Sequence, residues 1–85
     1  MEMFVSNLSD GWDIMMRIRN NHRNMMDDKI AEYLNLTHEE YKDILYKYGG
    51  RDINPVRITF KTKEDAEKVL KEIEPFYILA KLTGG

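Results

Sequence analysis

The stretch IAEYLNLTHEEYKDIL, residues 30–45, decides how this chain is read. A small residue, Ala31, is followed by Leu34, then by a turn through Leu36, then by Tyr41 and Ile44 on a second helix. That order is the spacing of a helix-turn-helix. The small residue lets the second helix approach, and the apolar residues close a core around the turn. Where such turns usually carry glycine this chain has Asn35, which tolerates positive φ. Thr37-His38-Glu39-Glu40 is a capping box that starts the second helix, and Gly49-Gly50 end it. The first helix begins at Met26, with Asp27 and Asp28 in its first turn, where carboxylates suit the helix dipole. The helix-turn-helix-like part is thus expected over residues 26–48.

Upstream, WDIMMRIRNNH (residues 12–22) carries two periodicities. Trp12, Ile14, Met16 and Ile18 alternate as on a strand, whereas Ile14, Met15 and Ile18 share a helical face. Met and Arg propagate helices and Asp10 is placed to cap one, so a helix is expected here. Before it, MFV (residues 3–5) is short and β-prone, and SNLSDG is a cluster of turn formers. RNNHRN reads as punctuation between helices.

Downstream, RDINP reads as a loop and VRITF as a half-buried strand, with Val56, Ile58 and Phe60 inward and Arg57, Thr59 and Lys61 outward. A lone strand leaves its backbone unpaired. The expected partners are residues 2–6, residues 76–82, or the same strand of a second protomer. Thr62 caps a helix through KEDAEKVLKEIE, with Asp65 at the capping-box position and Ala66, Val69, Leu70 and Ile73 as its core face. Pro75 is expected to interrupt it. FYILAKLTGG then forms either a second short helix opened by Pro75, which is preferred, or a strand with Phe76, Ile78, Ala80 and Leu82 on one face. The expected fold class is α+β and mainly helical: a helix-turn-helix-like bundle with a small β-sheet or hairpin and a C-terminal helix. One domain over residues 1–85 is expected, with the strand-helix part at about residues 55–85.

Bulk properties bound the function. The 85 residues are 42% hydrophobic and 33% charged, the balance of a compact domain and not of a disordered one. A core of this size leaves only a few kcal/mol of net stability, which a homodimer would relieve. There is no cysteine, so disulfides and thiolate metal sites are excluded. No run approaches the roughly 18 apolar residues of a membrane span, and MEMFVSNLSDG lacks the features of a signal peptide. A cytoplasmic location is the expectation.

The exposed positions of the second helix are unusual for a DNA reader. They are His38, Glu39, Glu40, Lys42, Asp43 and Lys47. Reading helices ordinarily offer Arg, Lys, Gln, Asn and Ser to phosphates and base edges. Carboxylates facing a polyanion lower affinity and release no counterions, and the net charge of −2 adds no general attraction. Two bland readings stand beside this. Glu39 and Glu40 can serve only to cap and solvate a helix. Arg17, Arg19, His22 and Arg23, the one concentrated basic patch, are expected to pair with Asp13, Asp27 and Asp28. Arg51, Arg57 and Lys61 would extend that basic surface if the fold brings them near.

Tyrosine is the dominant aromatic. Tyr41 and Tyr48 lie on the core face of their helix, whereas Tyr33 and Tyr46 fall off the apolar stripes, and an exposed tyrosine is a favoured interface anchor. The Met15-Met16 and Met25-Met26 pairs cannot all point inward on a helix, and filling core gaps is their commoner use. Catalysis is not expected. His22 and His38 have no serine or cysteine nucleophile at a suggestive spacing, and the pairs Asp27-Asp28 and Glu39-Glu40 diverge on their helices where a general acid and base would converge. No phosphate-binding glycine loop follows the pattern of known ones, and no metal or cofactor set is present.

Residues 27–48 resemble the helix-turn-helix segment of small regulators encoded by bacteria and their phages. The chain as a whole, with its helical segment followed by ITFKTKEDAEKVLKEIEPF, is similar to short proteins common in phages and prophages of Gram-positive bacteria. The resemblance implies action by binding a host or phage macromolecule, and for a phage-encoded protein the host cytoplasm as its location. Two features depart from the helix-turn-helix pattern: Asn35 in the turn, and the acid on the second helix. The expected function is therefore protein–protein interaction, directed at a host or nucleic-acid-handling protein and inhibitory by nucleic-acid mimicry. Glu39, Glu40, Asp43 and Tyr46 are the expected contact residues, with Arg17, Arg19 and Arg23 as a second surface. The alternatives are a DNA-binding regulator, probing phosphates with Lys42, Lys47, Arg17, Arg19 and Arg23, and a structural or assembly component of a phage particle.

Overall fold

The structure is a computed structural model and describes residues 2–17, 24–25, 27–54 and 57–83. Residues 12–17, preferred as a helix, are a strand, and residues 18–22 of that segment lie outside the described residues. β1 (Glu2–Leu8) and β2 (Gly11–Arg17) form an antiparallel hairpin across Ser9-Asp10, with Met3 opposite Met16 and Val5 opposite Ile14. Pairing to β1 overrides the modest helix propensity of Met and Arg, a difference smaller than the packing a paired strand gains. A short β3 (Asn24–Met25) extends the sheet on the other side of β2. β2 is buried on both faces from Asp13 to Met16, with Ile14 and Met16 in the core and Asp13 against Arg57. This is why the adjacent Met15 and Met16 are both buried, an arrangement closed to them on a helix.

The helix-turn-helix geometry is present. α1 (Asp27–Tyr33) leads through a tight turn to α2 (His38–Lys47). Asn35 adopts φ 60°, and the Asn35 and Leu36 amides donate to Glu32 O at 3.1 Å and Ala31 O at 3.0 Å. These two bonds are the Schellman closure of α1, with Asn in the left-handed position usually held by glycine. The Thr37 box is complete: the Glu40 amide donates to Thr37 Oγ1 at 3.0 Å, and the Thr37 amide to Glu40 Oε1 at 2.9 Å. α2 ends the same way as α1, with Gly49 at φ 91° and the Gly50 amide on Leu45 O at 2.9 Å.

The stretch read as a loop is a strand as well. β4 (Arg51–Asn54) pairs antiparallel with β5 (Arg57–Thr59), with an irregularity between Asp52 and Asn54. The partner of β5 is thus the segment just before it, and none of the three expected ones. Phe60 then pairs with Trp12 through two short backbone bonds, 2.7 and 2.8 Å, which tie this hairpin to β2. Thr59 is buried, contrary to the alternation, with its hydroxyl donating to Trp12 O at 3.3 Å.

α3 (Lys63–Thr83) is one continuous helix, opened by Thr62 Oγ1 accepting from the Asp65 amide at 3.2 Å. Pro75 lies within it and does not interrupt it. The bond it forfeits is to the Lys71 carbonyl, four residues back. Lys71 and Pro75 both lie on the exposed side of the helix, so the lost bond does not fall in the core. The core draws on Ile14 and Met16 of β2, Ile30 and Ala31 of α1, Tyr41 and Leu45 of α2, Ile58 of β5 and Val69 and Ile73 of α3. The fold is α+β.

Candidate functional site

Glu39, Asp43 and Tyr46 sit at i, i+4 and i+7 and therefore line one face of α2. All three are exposed, because Tyr41 and Leu45 on the opposite side anchor the helix in the core. Glu40 is exposed too, but its carboxylate is engaged in the cap, and the bond from the Thr37 amide holds its pKa below the usual range. Tyr46 is 42% exposed, yet its hydroxyl is fixed, donating to the Asp52 carboxylate of β4 at 2.8 Å. That bond raises the Tyr46 pKa. Asp52, unremarked in the sequence, joins the acidic stripe of α2 to the exposed strand β4. No signal in the chain pointed to it, because β4 read as a loop.

The cations on α2 are placed differently. Lys47 Nζ contacts the Glu72 carboxylate of α3 at 2.8 Å, and Tyr48 donates to the same carboxylate at 2.6 Å. The Glu72 pKa is lowered by these bonds and that of Lys47 raised. Lys42 is half-buried. Arg17 lies on β2 with its guanidinium 4.9 Å from the centre of the Phe4 ring. Arg19 and Arg23, with His22, fall outside the described residues.

Of the acids expected to neutralise that arginine patch, Asp13 and Asp27 have other partners. Asp13 accepts from Arg57 Nε at 2.5 Å and from Nη2 at 3.2 Å, and Asp10 accepts from Nη1 and Nη2 at 3.0 and 2.6 Å. Asp10, expected as a helix cap, is thus a hairpin-turn residue in an ion pair. Its pKa is lowered by the Arg57 bond, and that of Arg57 is raised by its two carboxylates. Arg57 does not belong to a solvent-facing basic surface. Asp27 is buried at the start of α1 and accepts from the Ile58 amide at 2.8 Å. The Tyr41 hydroxyl lies buried near it without a well-formed hydrogen bond.

A second exposed feature is apolar. Phe76, Ile78, Leu79 and Leu82 on the last turns of α3 remain in contact with solvent. A groove of about 520 Å³ lies beside them, lined by Leu34 and Leu36 of the helix-turn-helix and by Phe76, Leu79, Ala80 and Thr83.

No protein family, curated protein or solved structure matches the chain. Among the described residues, no helix is long and apolar enough to cross a membrane.

Proposed function

We propose that this protein is a non-enzymatic binding protein of phage or prophage type, acting in the host cytoplasm through protein–protein interaction, with the acidic face of α2 as its contact surface. One observation carries the reading: Tyr46, with its ring in solvent and its hydroxyl locked on Asp52, ends the stripe begun by Glu39 and Asp43. A rigid aromatic with carboxylates on either side suits a basic protein surface, where an arginine stacks on the ring and lysines meet the acids. A helix-turn-helix shape bearing acid where bases are normally read presents negative charge to a site built for nucleic acid. Inhibition or modulation of a nucleic-acid-handling protein follows from that chemistry.

The same features weigh against DNA as the ligand. Lys47 is held by Glu72, and a phosphate would have to displace that carboxylate. Counterion release from DNA has little to draw on at a helix with Glu39 and Asp43 exposed. Affinity capture from host lysate with the wild type and with Glu39→Lys/Asp43→Lys tests the proposal. Partners retained by the wild type should be lost on charge reversal, with the helical circular-dichroism signal unchanged. Retention of mixed duplex DNA at low salt, abolished by Arg17→Ala, would establish the DNA-binding reading instead.

A further inference from the structure

α3 changes character at Pro75. On the side turned away from the core, its first half carries the exposed Glu64, Glu67, Lys68 and Lys71. On that same side, its second half carries Pro75, Ile78, Leu79 and Leu82, while Ile73 and Tyr77 continue the core-facing stripe. Ile78 is 48% exposed, Leu79 60%, Leu82 80% and the adjacent Phe76 38%. From Pro75 to Thr83 the only charged residue is Lys81. A helix with one side on a core keeps a polar opposite face, and one that is apolar all round is buried. These turns are apolar on both sides and covered on one.

We propose that a second copy of the chain covers them, α3 packing antiparallel on α3 about a two-fold axis near Tyr77 and Ile78. The surface carries both a ridge and grooves. The ridge of Ile78, Leu79 and Leu82 separates the groove at Leu34 and Leu36, which Leu79 helps to line, from a smaller one, about 310 Å³, lined by Met3, Leu70, Glu74, Tyr77 and Ile78 itself. A two-fold axis sets the ridge of each copy into a groove of the other.

The surface is self-complementary in charge. Glu74, Ile78 and Lys81 lie at i, i+4 and i+7 on one stripe, with both charges exposed. An antiparallel pair brings Glu74 of each copy against Lys81 of the other, twice. A parallel pair would set like against like. An anionic membrane surface gains from Lys81 only what it loses to Glu74. The three ridge side chains, Ile78, Leu79 and Leu82, leave about 300 Å² of apolar surface, taking ~150 Å² for a fully exposed large side chain. That is well under half of the ~800 Å² each partner buries in a standard interface, so the dimer is a weak one.

Sedimentation velocity on the full chain, from low to several hundred micromolar, reads the dimer directly. The wild type should pass from monomer to dimer over that range, and Leu79→Glu/Leu82→Glu should stay monomeric with its fold intact by circular dichroism. Glu74→Lys, which replaces two ion pairs with two repulsions, should weaken dimerisation about tenfold, and Glu74→Lys/Lys81→Glu should recover it. A wild type monomeric throughout, a dimer that survives Leu79→Glu/Leu82→Glu, or a charge swap that fails to recover association each overturns the proposal. So does co-sedimentation of a monomeric wild type with phosphatidylcholine–phosphatidylglycerol vesicles, which would name a lipid surface as the occupant.

Discussion

Raising the pH from 5 to 8 should destabilise this protein, and Asp27 should be the cause. Its carboxyl is buried at the start of α1, where it accepts the Ile58 amide. Burial, followed by the neighbouring Asp13 and Asp28 carboxylates, outweighs the Ile58 bond and Lys42, and raises its pKa from 3.8 to about 7. The folded state therefore keeps a proton that the unfolded chain has already lost. With the folded pKa above the unfolded one, the stabilisation is fully present below pH 3.8 and has gone once the pH passes about 7. Each pH unit in that window is worth about 1.4 kcal/mol, so the whole shift corresponds to roughly 4 kcal/mol and the part between pH 5 and 7 to roughly 3. For a domain stable by only a few kcal/mol that change is large. Asp10, Glu40 and Glu72 have lowered pKa values, and their contributions change in more acid solution, outside this window. The assay is urea unfolding at pH 5, 6, 7 and 8, followed by the fluorescence of Trp12, the single tryptophan. In Asp27→Asn the amide oxygen still accepts the Ile58 N–H and no charge is buried. The variant should lose the slope and exceed the wild type in stability at pH 8. A wild type equally stable at pH 5 and 8, or a variant that keeps the slope, would refute the reasoning.

Three further substitutions probe the frame around the site. Arg57→Ala strands the buried Asp13 without its guanidinium and should cost about 3–5 kcal/mol in urea unfolding at pH 7; Arg57→Lys, which cannot fork between Asp10 and Asp13, should fall between it and the wild type. Gly11→Ala places a Cβ 2.7 Å from the Phe60 carbonyl oxygen. The backbone must shift to admit it, at about 1–3 kcal/mol, and the Trp12 emission should move to the red as the Trp12–Phe60 pairing opens. Asn35→Val forces a β-branched residue to φ 60° and should lower the melting temperature, costing about 1–2 kcal/mol, whereas Asn35→Gly should leave it nearly unchanged.

The local signals that proved readable are those whose cause is local. The Thr37 cap, the left-handed Asn35 and the Gly49-Gly50 stop each depend on a few adjacent residues, and each is present. The exposed acid on α2 followed from the same register, since Tyr41 and Leu45 fix which side of the helix turns inward. The misreadings concern segments decided by distant partners. Residues 12–17 carry both periodicities, and only β1 and the Phe60 edge select the strand. Arg51–Asn54 has little strand propensity and is a strand because β5 folds back on it. Pro75 stays inside α3 on its exposed side, where the bond it forfeits lies outside the core. Asp13 and Asp27 looked like surface acids, and only the tertiary fold carries them inside, to Arg57 and to the Ile58 amide. Asp52 beside Tyr46 escaped notice for the same reason.

The acidic face of α2 is proposed to contact a protein. A photo-crosslinking residue placed at position 46 reports on that face directly, with the same residue at the exposed position 68 of α3 as the control. Irradiation in host lysate should join position 46 to a discrete protein, with position 68 giving none of that adduct and Glu39→Lys/Asp43→Lys abolishing it. Equal crosslinking from positions 46 and 68, or an adduct at 46 that persists after charge reversal, would contradict the claim.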